Sequence, residues 1–116
     1  MRAYPHQPLL DNNLSDTVNA TLSLHLQGLG AEAIAAQREL RLTTIYGHFA
    51  DAIEVGLLEP AQVLALSDEE HEYIINTFEL LEPEQQERIK PLYDALNEEF
   101  DYGVLRCVLA GHVGAL

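Results

Sequence analysis

An all-α protein of about six short helices is the fold class this 116-residue sequence predicts, and three observations carry that expectation. Apolar residues recur three and four positions apart through most of the chain, the spacing that lines one face of an α-helix. The periodic stretches open on capping residues, Ser15, Thr43, Ser67 and Asp101, and close near glycine or proline, at Gly28, Gly30, Gly56, Pro60 and Pro83. No stretch reads as a convincing alternating strand, and no internal repeat is visible.

Residues 1–13, MRAYPHQPLLDNN, hold two prolines and no apolar period, so they read as an extended lead-in that packs, if at all, through Tyr4, Leu9 and Leu10. Ser15 caps a first helix, with Asp16 at the positive end of its dipole and Val18, Leu22, His25 and Leu26 on one face. After Gly28 and Gly30, AEAIAAQREL forms a short second helix that turns Ile34, Ala35 and Leu40 inward. Thr43 caps a third, whose inner face is Ile45, Phe49, Ala52 and Ile53 and which Gly56 stops.

Glu59 and Pro60 break the chain, and PAQVLAL allows one or two helical turns. Ser67 with Glu70 matches a capping box, opening a helix with Ile74, Ile75, Phe78 and Leu81 on its apolar face and an end near Glu82. Pro83 suits the first turn of the next helix, which continues through Ile89, Leu92, Tyr93 and Leu96 with a bend at Pro91. Asp101 caps a last helix carrying Val104, Leu105, Val108 and Leu109.

The length suits one domain. The expected organisation is a lead-in over 1–13, a tri-helical unit over 14–58, and an acidic helical extension over 59–116 packed on it as one domain. Neither end carries the features of a secretory signal, and no stretch approaches the roughly 20 apolar residues that span a bilayer, so a soluble, cytoplasmic protein without membrane contact is expected. Cys107 is the only cysteine, which rules out an intramolecular disulfide and a thiolate cluster within one chain; its apolar setting, VLRCVLA, makes it a core residue.

Charge sets the main constraint. Six Lys and Arg against 19 Asp and Glu give a net charge of −13, the reverse of a usual nucleic-acid binder. Over residues 14–56 the cations are Arg38 and Arg41 against Asp16, Glu32, Glu39, Asp51 and Glu54, a net of −3; over 57–116, Arg88, Lys90 and Arg106 stand against 13 acids, a net of −10.

The most informative segment is GLGAEAIAAQRELRLTTIYGHFADAIEVG, residues 28–56. Small Ala35 lets the second helix approach its neighbour, Leu42 plugs the turn and Ile45 anchors the third helix, the spacing of a helix-turn-helix. Thr44, Tyr46, Gly47, His48 and Asp51 would then face outward, toward a groove or a partner. The fold class in full is thus all-α, a tri-helical helix-turn-helix followed by a C-terminal helical extension.

The same segment resembles the helix-turn-helix domain found at the C-terminus of bacterial RecQ-type and related ATP-dependent DNA helicases, with its glycine-led "GL…IA" second helix and "TI…H" third helix. The likeness continues in KPLYDAL at 90–96 and DYGVLRCVLA at 101–110, similar to that family's closing pair of helices, and so covers about residues 14–110. The resemblance implies a noncatalytic accessory module that binds or positions DNA, with a helicase core in cis or in trans as its partner. The chain holds no GxxxxGK[ST] phosphate loop, and no cofactor is expected.

Candidate DNA contacts are Arg38, Arg41, Thr43, Thr44, Tyr46 and His48. The hydroxyls can donate to phosphate and Tyr46 can stack on an unpaired base; equally, Thr43 can serve only as a cap and Tyr46 as packing. Arg38 and Arg41 are the cations of the motif, and their alternative is pairing with Glu32 or Glu39 at helical spacing. The five histidines, at 6, 25, 48, 71 and 112, show no HxxxH or HExxH spacing, so no metal site is expected, and no nucleophile–base pair suggests catalysis. The DEEHE run at 68–72 and NEEFD at 97–101 read as solvated faces; the alternative function is an acidic module docking a basic partner or helicase core. A sequence-specific regulator is a third reading, which would need a dimer and a palindromic site.

Overall fold

The computed structural model describes residues 14–113, so the lead-in, with its expected packing through Tyr4, Leu9 and Leu10, lies outside the described residues. Within them the chain forms seven α-helices and no strand: α1 Asp16–Leu26, α2 Ala31–Arg38, α3 Leu42–Glu54, α4 Pro60–Val63, α5 Asp68–Glu79, α6 Lys90–Ala95 and α7 Tyr102–Val113, with a 3-10 turn at Pro83–Glu87 before α6. The fold is all-α, as expected.

Local chemistry accounts for most boundaries. Ser15 sits in extended backbone and its side chain accepts from the Val18 N–H. Ser67 and Glu70 form the reciprocal box, each accepting from the other's backbone N–H at 3.0 Å. Glu59 and Gln62 open the short α4, the Gln62 side-chain Oε1 accepting from the Glu59 N–H at 2.7 Å. Asp101 immediately precedes α7, its carbonyl accepting from the Leu105 N–H at 3.0 Å.

Three expectations fail. Thr43 does not cap α3: the helix begins one residue earlier, at Leu42, with Arg41 as the extended residue before it and no side-chain cap. Leu42 is therefore the first helical residue, and it packs half-buried against the core beside the turn. The helix expected across 83–96 is instead broken at Arg88, whose backbone is extended, and Pro91 stands in the first turn of α6, where its missing N–H costs nothing, instead of bending a longer helix. Leu26, expected on the inner face of α1, is exposed.

One hydrophobic cluster runs through the described chain, joining Val18 and Leu22 of α1, Ile34 of α2, Ile45, Phe49 and Ile53 of α3, Ile74 and Phe78 of α5, and Leu92, Leu96, Leu105 and Leu109 from the C-terminal segments. Helix α3 lies at its centre, packed against α1, α2 and, most extensively, α7. The α3–α7 pair is the spine of the protein, since α7 also carries α4, α5 and α6.

Close approach of these two helices needs small residues, and α7 supplies them. A Cβ at Gly103 would stand 2.7 Å from the Tyr46 Cβ of α3, and one at Gly111 would stand 3.5 Å from the Ile53 Cγ2 of α3 and 2.6 Å from the Pro60 Cγ of α4. Between them, Cys107 is fully buried, its Sγ donating to the Tyr46 carbonyl at 3.3 Å, and burial pushes its thiol pKa up to about 12. This thiol is a packing group.

Candidate nucleic-acid interface

The second and third helices are joined by Glu39, Leu40 and Arg41. Glu39 ends α2 in the left-handed region at φ 55, and the Leu40 N–H returns to the Ala35 carbonyl at 3.0 Å, so the turn satisfies the last carbonyls of α2 within itself. Leu40 then packs on the core and directs the chain into α3. Gly30, extended before α2, offers no side-chain cap.

Three neighbours divide the surface of α3 into stripes. His48 faces α1: its Nδ1 lies 2.7 Å from the Thr21 Oγ1, and both residues are buried. Arg38, at the C-terminal end of α2, reaches the same hydroxyl at 2.6 Å and also donates to the Thr17 carbonyl at 2.7 Å and the Thr17 Oγ1 at 3.0 Å. A polar chain thus ties the three helices together. Burial lowers the His48 pKa, and the Arg38 charge lowers it further. The arrangement suits a neutral ring whose Nδ1 accepts from the Thr21 hydroxyl.

Tyr46, on the opposite flank, faces α7. Its ring meets Phe49 edge-on at 6.4 Å and lies over Gly103, and burial raises its pKa, with Cys107, Glu32 and Asp101 adding to the effect. Tyr46, Gly47 and His48 therefore do not form the expected outer face: two pack sideways and Gly47 is buried, an added Cβ there meeting the Arg106 Nη1 at 3.2 Å. What remains outward is the stripe beginning at exposed Thr43 and Thr44 and continuing past Gly47 to half-buried Asp51 and Glu54.

The candidate residues thus fall into two groups. Arg41, Thr43 and Thr44 come together, exposed, at the start of α3, where no acid occupies the first turn, and Arg41 has no hydrogen-bond or ion-pair partner among the described residues. Arg38 and His48 belong to the buried polar chain, and Arg38 bonds to α1 rather than to Glu32 or Glu39. Sequence reasoning missed Arg106: α7 lays it across Gly47, where it meets Asp51 at 3.5 Å, so the cation absent from α3 itself is brought by the closing helix. The signal was the small-residue spacing Gly103, Cys107, Gly111 beside it.

Elsewhere among the described residues no group of three or more His, Cys, Asp or Glu side chains is placed to hold a metal ion, and no helix is long and apolar enough to cross a membrane.

Three packed helices, with a tight turn before a third helix that keeps one stripe outward, define the class of tri-helical folds that present a helix to a nucleic-acid groove. The chain belongs to the helix-turn-helix domain family, whose model matches residues 17–109, spanning α1 to α7. No curated protein and no solved structure matches it.

Proposed function

We propose that this chain is a noncatalytic accessory module that binds or positions DNA for a helicase, holding the phosphate backbone at the start of α3. The observation that carries the reading is Arg41, without a partner among the described residues, beside exposed Thr43 and Thr44 at a helix start that has no side-chain cap. Such a helix start attracts anions through its free donors and its dipole, and the two hydroxyls and the guanidinium add directed donors. The helicase part rests on the resemblance of residues 28–56, 90–96 and 101–110 to the terminal domain of RecQ-type enzymes. Acidic surroundings make the expected affinity weak and strongly salt-dependent. Fluorescence-anisotropy titrations with single-stranded, duplex and forked DNA at low salt test the reading. Binding that Arg41→Gln weakens is expected; no binding to any form at high protein concentration contradicts it.

A second reading has its own observation. The first turn of α5 exposes Asp68, Glu69 and Glu70, within a half of the chain whose net charge is −10. A basic protein surface, such as a helicase core, could dock there by charge complementarity. Salt-sensitive binding to the helicase core, abolished by Glu69→Gln with Glu72→Gln but untouched by Arg41→Gln, would favour this over DNA.

A further inference from the structure

A cleft of about 250 Å³ lies beside the C-terminal half of α3, lined by Ala50, Glu54, Glu87, Arg88, Arg106 and their neighbours. It brings together two of the few cations of the acidic half, from two different elements: Arg106 from α7 and Arg88 from the extended break before α6. Neither arginine forms an ion pair with Glu54 or Glu87 among the described residues; Arg88 has no hydrogen-bond or ion-pair partner there, and Arg106 has only the long contact of 3.5 Å to Asp51. Two weakly engaged guanidiniums opening on one concave surface suit an anion that accepts paired hydrogen bonds, and phosphate is that kind of acceptor.

Their position along α3 supplies a second argument. From Arg41, at the start of the helix, to Ala50, on the cleft wall, nine residues advance the axis by about 13 Å. The major groove of B-form DNA is about 12 Å wide. Between the two ends runs the outward stripe of α3, with Arg106 leaning across Gly47 at its middle.

We propose that Arg88 and Arg106 form a second phosphate-binding bank, so that one duplex is held at two points along α3, by Arg41 at its start on one strand and by this cleft beside its C-terminal half on the other. The inference rests on the DNA-binding reading and extends it from one contact to two. Asp51 lets go of Arg106 as phosphate takes its place, and because backbone contacts carry no base information, the effect is the same on every sequence.

The test is a titration of the full chain with a 20-base-pair duplex over a series of salt concentrations, for wild type and for Arg41→Gln, Arg88→Gln, Arg106→Gln and Lys90→Gln. Each of the first three substitutions should weaken binding several-fold on unrelated sequences and reduce the magnitude of the log–log salt slope by about 1. Lys90, held by Asp94 at 3.1 Å and outside the cleft, should have no effect. Because Arg106 also covers Gly47, its variant is checked by thermal melting; Arg88, without a partner among the described residues, carries the test if that variant is unstable. Wild-type binding that Arg41→Gln weakens and Arg88→Gln leaves unchanged overturns the second bank alone. An equal loss with Lys90→Gln overturns it too, as an effect of net charge. Failure of the wild type to bind duplex while it still binds single-stranded or forked DNA overturns the second bank alone; failure to bind any form overturns both readings.

Discussion

The two flanks of α3 are held by different physics. Toward α1 and α2 the contact is polar and directional: Thr21, His48 and Arg38 share one buried hydroxyl. Toward α7 it is steric: Gly103 and Cys107 let the helix settle on Tyr46 with no room for another methyl group. A polar chain fixes which rotamers His48 and Arg38 adopt, while a small-residue seam fixes how near α7 comes. The second sets the surface, because the depth of α7 decides that Arg106 reaches the outward stripe.

The seam should be the more fragile flank. Gly103→Ala forces a Cβ to within 2.7 Å of Tyr46, and overpacking of this kind costs about 2–3 kcal/mol, read as a lower melting temperature together with new reactivity of Cys107 toward thiol reagents. An unchanged melt and a protected thiol would mean that α7 is not tightly seated. Thr21→Val should cost less, about 1–2 kcal/mol in urea denaturation, since His48 and Arg38 each lose a buried partner while the packing volume is kept.

The polar flank also makes stability depend on pH. His48 has a lowered pKa when folded, so its contribution is complete above the unfolded value of about 6.5 and is lost as the pH falls through the lowered folded value, where the unfolded chain takes up a proton that the native state refuses. Asp51 opposes that lowering and Arg106 supports it. Wild type should lose stability below about pH 6.5 more steeply than His48→Asn, whose side-chain carbonyl can still accept from Thr21. Parallel pH profiles would remove His48 as the titrating group. The smallest effect is expected in the turn between α2 and α3: Glu39→Gly relieves a left-handed residue at φ 55 and should gain up to about 1 kcal/mol in the same denaturation.

Much of this architecture is legible in the sequence because capping is local. Ser15 and the Ser67–Glu70 pair each act within a few residues, and each cap forms as its spacing requires. Thr43 misled because a cap is defined by where the chain turns, and that turn is set by the packing of Leu40 and Leu42. The orientation of Tyr46 and His48 was illegible for a related reason. Periodicity separates one inner face from the rest, whereas α3 has neighbours on three sides, and the third, α7, lies about 55 residues away in sequence. Arg106 was hidden by the same distance.

Mapping amide chemical shifts of the ¹⁵N-labelled protein during titration with a short duplex tests most directly whether α3, flanked by Arg41 and Arg106, is the DNA surface. Perturbations are expected at Leu42, Thr43, Thr44, Gly47 and Arg106, with α5 silent. Shifts centred on Asp68–Glu72, or none at saturating duplex, would contradict it.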